Sequence, residues 1–413
     1  MNMKTFRLWI VHFLLGLSSG LPYLLTGSTL QAWMTDQHID LKVIGLFALV
    51  RAPYNFKFLW APFIDRFSLP FLTRRRSWLV TTQVLLAASL VALGLSNPSA
   101  NPFQIALLAV LVSFVSASQD IVIDAYRTES LNDRELGLAT SNYITGYRVG
   151  MLISGGLALY IVDQYKIGWS GVYDIMALVL SLGVVASLLA PEPPSSHAIA
   201  PRTLREAIVD PFIDFFTRKN AILLIVFMII YKLGDNLAGA MTTPFILQSG
   251  YTKTEYAAIA KGIGFIAILA GGFLGGPIML RLGIIRSLWI FGFGQMLSVM
   301  TLVWLASIPK NLTILAVTIG TENFAIGLGS AAFTAFVSTV VNRKYTATQY
   351  ALLTSLMAMS STILSTPSGW LAEKLGWPGY FAFCAAIAIP GLVMLVWVGA
   401  SQKKLAEANL VQN

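Results

Sequence analysis

Asp120 and Asp124 stand four residues apart in an otherwise apolar run, so as helical residues they share one face. Two carboxylates held about 6 Å apart in a poorly hydrated place resist double ionisation, and one of them can take up and release a proton. They have company. Arg51, Lys57, Arg148, Lys232, Asp235, Lys261 and Glu322 also interrupt long apolar stretches, which makes nine such charges. On insertion scales a central charge costs roughly 2.5–3.5 kcal/mol, so nine of them facing lipid are excluded and they must face one another or a shared wet cavity. Arg148 lies among Tyr143, Tyr147 and Gly150, and its planar fork suits a carboxylate. Lys232 and Asp235, three apart, either neutralise each other permanently or form a pair that a substrate breaks. Glu322 beside Asn323 is a lone central carboxylate. Asp124 has a simpler use as well, pairing with Arg127 or Arg134. Arg51 has the alternative of snorkelling to the outer surface.

The interior holds five basic and four acidic residues, an excess that neutral sugars do not require and that a substrate bearing carboxylates does. Tyr23, Trp33, Tyr54, Trp60, Tyr126 and Tyr147 can stack on sugar rings, although aromatics in membrane helices mostly pack or line the interface.

The elements that position these charges follow from composition. Of 413 residues, 56% are hydrophobic and 11% charged, and mean hydropathy is +0.71. Apolar runs near 20 residues, long enough for a ~30 Å hydrocarbon core, recur along the chain. Twelve are expected, at 6–34, 41–64, 77–95, 102–125, 137–162, 168–189, 220–247, 254–281, 286–306, 312–341, 347–372 and 378–398. The first is too long for a signal peptide and lacks a small-x-small cleavage site. Cys384, the single cysteine, excludes disulfides, and His12, His38 and His197 form neither a metal-ligand cluster nor a nucleophile–His–acid set. No cofactor, metal or enzymatic activity is expected.

The net charge of +9 is distributed as a topology signal rather than a nucleic-acid patch. With the N-terminus in the cytoplasm, 18 Lys and Arg fall on the cytoplasmic side and Lys42, Lys166, Lys253, Lys310 and Lys374, five residues, on the other. Both termini are therefore expected in the cytoplasm. The triplet Arg74–Arg76 reads the same way, with lipid headgroups as its partners.

A proline-rich, charged stretch at 191–219 separates six spans from six, and Leu204, Ile208, Phe212 and Phe216 predict a short amphipathic helix within it. The expected organisation is an N-terminal bundle at 1–190, this cytoplasmic linker, a C-terminal bundle at 220–400 and a tail at 401–413. The halves echo each other: Ile64-Asp65-Arg66-Phe67 with Arg74-Arg75-Arg76 against Gly276 to Gly283 with Arg286, and Ala139-Thr140-Ser141 against Ala347 to Ser355. Offsets lie between about 208 and 215. Such repeats imply two bundles rocking about a midplane site. Gly146-xxx-Gly150 and Gly271-Gly272-xx-Gly275-Gly276 predict close helix approaches.

The Asp65, Arg66 and Arg74–Arg76 arrangement resembles the loop between helices two and three of the major facilitator superfamily, with a longer spacer. The Gly-Pro signature of drug/proton antiporters is absent from 146–156. A narrower resemblance rests on Thr29-Leu30-Gln31-Ala32-Trp33, Phe56-Lys57-Phe58-Leu59-Trp60-Ala61-Pro62, Ser118-Gln119-Asp120-Ile121-Val122-Ile123-Asp124, Gly146-Tyr147-Arg148-Val149-Gly150 and Tyr231-Lys232-Leu233-Gly234-Asp235. Together these strings resemble the AmpG muropeptide permeases along all twelve helices. Arg51 stands where that family is expected to have a small residue, and some relatives carry further hydrophobic segments.

The resemblance implies a monomeric, proton-driven inner-membrane importer of anhydro-muropeptides for peptidoglycan recycling, linked in some bacteria to β-lactamase induction. For such an importer the interior residues suggest Lys57, Arg148, Lys232, Lys261, Tyr54, Tyr147 and Gln119 as substrate ligands. Asp120, Asp235 or Glu322 would take the coupling proton, and Asp65 with Arg66 and Asp124 with Arg127 would gate the cytoplasmic side. An acetyl-CoA or drug carrier, or a non-transporting receptor, is the alternative that the residues leave open.

Overall fold

A computed structural model describes residues 3–39, 41–165, 167–191, 193, 203–218 and 220–411. Outside them lie much of the linker (Arg202 and His197 included), Lys166 and Lys219. So do the side chains of Lys4, Lys42, Arg134, Lys253, Lys403 and Lys404. Among the described residues every regular element is a helix. With no water to satisfy the backbone in a bilayer, helices that bond internally are the available spanning element.

Ten helical stretches among the described residues are long and apolar enough to cross a membrane. The first joins α1 (Met3–Leu25) and α2 (Ser28–Asp36). Then come α6 (Arg74–Gly94), α7 (Pro102–Ser130) and α8 (Asp133–Leu152) continuing into α9 (Ala158–Tyr165). Next are α10 (Gly168–Leu189), α13 (Ala221–Gln248), α14 (Lys253–Ile259) continuing into α15 (Phe265–Leu282), α16 (Ile284–Ala306) and α17 (Leu312–Val340). The tenth is α19 (Ser368–Val411), which continues past the expected end at 400.

The other two expected crossings are present as helix but interrupted or polar. The second is a chain of short pieces: α3 (Leu41–Leu46), α4 (Ala52–Phe56) and α5 (Ala61–Arg66), with 3₁₀ turns at Phe47–Arg51 and Lys57–Leu59. Pro53 and Pro62 lie in the first turns of α4 and α5, where their missing N–H is tolerated and their ring ends the preceding helix. The eleventh, α18 (Thr346–Ser365), is rich in Thr and Ser. Between it and the twelfth, Gly376 at φ 66° and ψ 167° breaks α19, a conformation that L side chains rarely adopt.

The chain divides into two compact units, one of 1–213 with 338–355 and the other of 214–337 with 356–413. Each has an apolar core; in the first Leu21, Leu90, Val112 and Met176 pack together, and in the second Leu237, Phe245, Leu302 and Phe381 do. The repeat read from sequence recurs inside them. The Tyr173 hydroxyl donates to Leu25 O at 2.8 Å in the first unit, and Tyr380 donates to Leu237 O at 2.6 Å in the second, offsets of 207 and 212. Gly146 lets α8 lie directly on α1, since a Cβ there would overlap Phe13 O, and Gly271 does the same for α15 on α17 at Phe324 O. Lipid-facing helices gain little from burying apolar surface, so small residues that permit close contact hold them together.

Two expectations need correction. The linker forms α11 (Leu204–Ile208) and α12 (Asp210–Phe216), broken at Val209 before Pro211. The buried side is Ala207, Pro211 and Phe215, whereas Ile208 and Phe216 are exposed. The buried positions keep the spacing of four through the break, one residue earlier than the expected stripe. The Arg74–Arg76 triplet does not all face lipid headgroups: Arg74 and Arg75 are buried on acids, and Arg76 donates to Ser187 O and Leu188 O at the open end of α10.

Candidate functional site

In the first unit the charges form a ladder along α7. At its base Asp65, with no exposed surface, takes Arg75 Nη2 at 2.7 Å and Arg74 Nη2 at 3.4 Å. It also caps the start of α18, accepting Thr348 N and Oγ1 at 2.8 Å each and Ala347 N at 3.3 Å. Arg75 forks onto Glu129, with Nε at 2.9 Å and Nη2 at 2.5 Å. Arg66, expected beside Asp65, instead lies over the Phe67 ring at 5.2 Å. The residue adjacent in sequence points away along the helix, and a side chain ten positions on, brought back by the turn at 67–73, reaches the carboxylate.

One level up, Asp124 joins two cations: Arg127 Nη2 at 2.8 Å and Lys57 Nζ at 3.8 Å. Lys57 sits at the 3₁₀ break between α4 and α5, which turns a residue of the broken helix inward. Arg127 also donates to the Tyr350 hydroxyl at 2.8 Å and lies over the Tyr143 ring at 4.6 Å.

Higher still, Ser19 Oγ donates to Asp120 Oδ1 at 2.5 Å; its only proton spent, it accepts from the Tyr143 hydroxyl at 2.9 Å. Lys57 and Arg127 both act electrostatically on Asp120, so two cations face two carboxylates, and a proton on Asp120 tips the group by one positive charge. Gln119 donates to Ser18 Oγ at 2.8 Å, and Trp60 Nε1 to Ser118 Oγ at 2.9 Å.

At the top Tyr23, Tyr54 and Tyr147 cluster, with ring centroids 6.0 Å and 6.4 Å from Tyr23. Arg148 is next to Tyr147 and, among the described residues, makes no ion pair; its buried Nε has no partner.

In the second unit Asp235 Oδ2 accepts Lys232 Nζ at 3.0 Å and Gln295 Nε2 at 2.5 Å. Tyr231 stacks on Phe333, with centroids 5.5 Å apart, and Lys232 Nζ lies 5.8 Å above the same ring. Glu322 is 6% exposed, neighbours Thr242 and feels the Asp235 charge, and among the described residues no cation pairs with it. Lys261 is exposed in the π-helical turn Ala260–Gly264 that joins α14 to α15.

Thus the structure gathers Lys57, Asp120, Asp124 and Arg127 in one cluster and Lys232 with Asp235 in another, and leaves Lys261 apart. Sequence reasoning missed Ser19, Glu129, Thr348, Tyr350 and Gln295. Each is far in sequence from the charge it serves; a hydroxyl or amide in a helix carries no local signal of a distant partner, and Glu129 lies beyond the expected end of its span at 125. Among the described residues no group of three or more His, Cys, Asp or Glu side chains could hold a metal.

An all-helical bundle with paired charges inside is a transporter's architecture, and the chain belongs to the major facilitator superfamily, whose family model matches residues 8–366. The anhydromuropeptide permease of Escherichia coli K12 is 43% identical over 388 residues, covering 94% of this chain and 78% of that protein. The AmpG 4 protein of Rickettsia conorii is 35% identical over 402 residues, 96% of this chain and 97% of that one. The chain is thus an AmpG homologue, a multi-pass inner-membrane permease for a small molecule rather than an enzyme. The proton:xylose symporter XylE bound to 6-bromo-6-deoxy-D-glucose superposes with a TM-score of 0.69 at 14% identity, covering 96% of each chain. The human organic anion transporter MFSD10 gives 0.64 at 14%, covering 95% of this chain and 98% of that one.

Proposed function

We propose that this protein imports anhydro-muropeptides, GlcNAc-1,6-anhydro-MurNAc with or without its peptide, from periplasm to cytoplasm for peptidoglycan recycling, using the proton motive force. The observation that carries the reading is the 43% identity to the E. coli anhydromuropeptide permease across 94% of the chain. The interior supports it: tyrosines suit the sugar faces, while guanidinium, ammonium and carboxylate groups suit the acids and amine of the peptide.

In this reading the halves 1–190 and 220–400, joined by the cytoplasmic linker 191–219, alternate access as one monomer, with both termini and the tail 401–413 in the cytoplasm. The 18-to-5 distribution of basic residues supports that orientation. Arg148, Lys57, Lys232, Lys261 and Gln119 hold polar groups of the substrate, and Tyr54 and Tyr147 its rings. Asp120 and Glu322, which no cation pairs with at ion-pair distance among the described residues, carry the coupling proton, with Asp235 as the third carboxylate available. Asp65, through Arg75 and Thr348, and Asp124, through Arg127, latch the cytoplasmic end; Arg66 flanks that latch.

The test is flux into proteoliposomes. Purified protein should accumulate labelled GlcNAc-anhydro-MurNAc-tripeptide when a pH gradient is imposed and lose accumulation with an uncoupler. Acetyl-CoA or drugs should not compete. Absence of flux, or competition by those compounds, would overturn the reading.

A further inference from the structure

Arg51 is the one interior charge that the mechanism above does not use. Its placement is not that of a snorkelling side chain. The guanidinium carbon lies 3.7 Å from the centroid of the Tyr23 ring, within stacking distance. A Cβ on Gly27 would meet its Nη1 at 3.4 Å, so the fork is packed against the junction of α1 and α2. The 3₁₀ turn Phe47–Arg51, two residues before Pro53, ends with this residue and sets its direction. Among the described residues Arg51 pairs with no carboxylate. Arg148 has none either, and the two guanidiniums act on the Tyr147 hydroxyl from different elements. Tyr54, buried beside Ser116, feels Arg51 as well. Inside one unit, therefore, two planar forks with no carboxylate partner among the described residues flank three tyrosines.

Building on the muropeptide reading, we infer that Arg51 and Arg148 are a carboxylate-reading pair that selects the peptide-bearing substrate over the peptide-free disaccharide. Stacked on Tyr23, the Arg51 fork keeps its orientation while leaving its edge N–H groups free for a carboxylate. The peptide-free disaccharide offers a single carboxylate, on its lactyl group. In the tripeptide form that group is an amide and the peptide supplies several carboxylates, enough to occupy both forks. Lysine cannot replace arginine here, because it has neither the plane that stacks nor the paired donors.

The experiment measures kcat/KM in proteoliposomes for GlcNAc-anhydro-MurNAc and for its tripeptide form, with Arg51→Lys, Arg51→Gln and Arg148→Gln beside the wild type. Each variant is checked for a monodisperse peak and normal melting. A lost charge-assisted bidentate contact predicts roughly a tenfold or greater fall in the tripeptide-to-disaccharide ratio for each variant, carried by KM. A tripeptide with its carboxylates amidated should show no such fall. An unchanged ratio in the folded variants would overturn the inference, as would an equal loss for both substrates. If the wild type carries neither substrate, the muropeptide reading itself fails and this inference falls with it. A wild type that carries both while the ratio stays flat sinks only the carboxylate-reading pair.

Discussion

The heaviest demand on a single side chain falls on Asp65, and replacing it with asparagine tests how the base of the first unit is held. The carboxylate has no exposed surface and receives five donors: three on Oδ1, from Arg75, Arg74 and Ala347, and two on Oδ2, both from Thr348. Asparagine is isosteric but must turn an NH₂ toward one of these sets. Facing Oδ2's set is the lesser loss, because the Thr348 hydroxyl can rotate to accept while only its backbone N–H is orphaned. The charge is lost in either orientation. Removing one member of a buried ion pair costs roughly 3–5 kcal/mol. Arg75 keeps its fork on Glu129, so the expected loss sits at the lower end, about 3 kcal/mol. Thr348→Ala deletes one hydroxyl donor and leaves the backbone bond, for about 1 kcal/mol. Thermal unfolding in detergent, followed by loss of the monodisperse peak, should therefore rank wild type above Thr348→Ala and Thr348→Ala well above Asp65→Asn. Equal melting of Asp65→Asn and wild type would refute the reasoning, and so would a Thr348→Ala protein as unstable as Asp65→Asn.

Further outcomes follow from other contacts. Gly146→Leu should abolish folded protein, since even a Cβ there overlaps Phe13 O, whereas Gly239→Ala, at a glycine with open space around it, should express and melt normally; expression and size-exclusion profiles decide. Lys232→Met leaves Asp235 with Gln295 as its one hydrogen-bond partner among the described residues and should destabilise by roughly 3 kcal/mol; adding Asp235→Asn should recover part of that loss, read by the same melts, and no recovery would argue against a mutual pair. Cys384 is fully buried, so maleimide should label it in denaturant and not in the folded protein. Proton coupling through Asp120 predicts that Asp120→Asn keeps substrate exchange across equal concentrations while losing uphill accumulation driven by a pH gradient; unchanged accumulation would remove Asp120 from the coupling path.

Much of this molecule was legible in one dimension. Apolar runs of bilayer length declare themselves locally, because the hydrocarbon core tests each segment for hydrophobicity along its own length. The same local test exposes Asp120, Glu322 and Lys57, since a charge in such a run must be accounted for by something inside the protein. The small residues of α8 and α15 announced close packing for a similar reason. The echo of one half in the other survives as strings of residues and reappears as the matched Tyr173 and Tyr380 bonds.

Partnership was not legible, because a hydrogen bond depends on where two distant segments meet. Asp65 passes over its neighbour Arg66 for Arg75, and Asp235 takes Gln295, sixty positions away. Ser19 reaches Asp120 across 101 positions of sequence. Arg51 makes the contrast sharpest. Read along the chain it was a charge free to reach for the outer surface, and only the 3₁₀ turn before Pro53 sets its guanidinium against Tyr23. The sequence by itself determined which residues had to be turned inward, since lipid rejects charge whatever the fold. The tertiary structure alone decided which of them neutralise one another and which have no ion-pair partner among the described residues, because helix breaks and close helix contacts set the direction in which each side chain points.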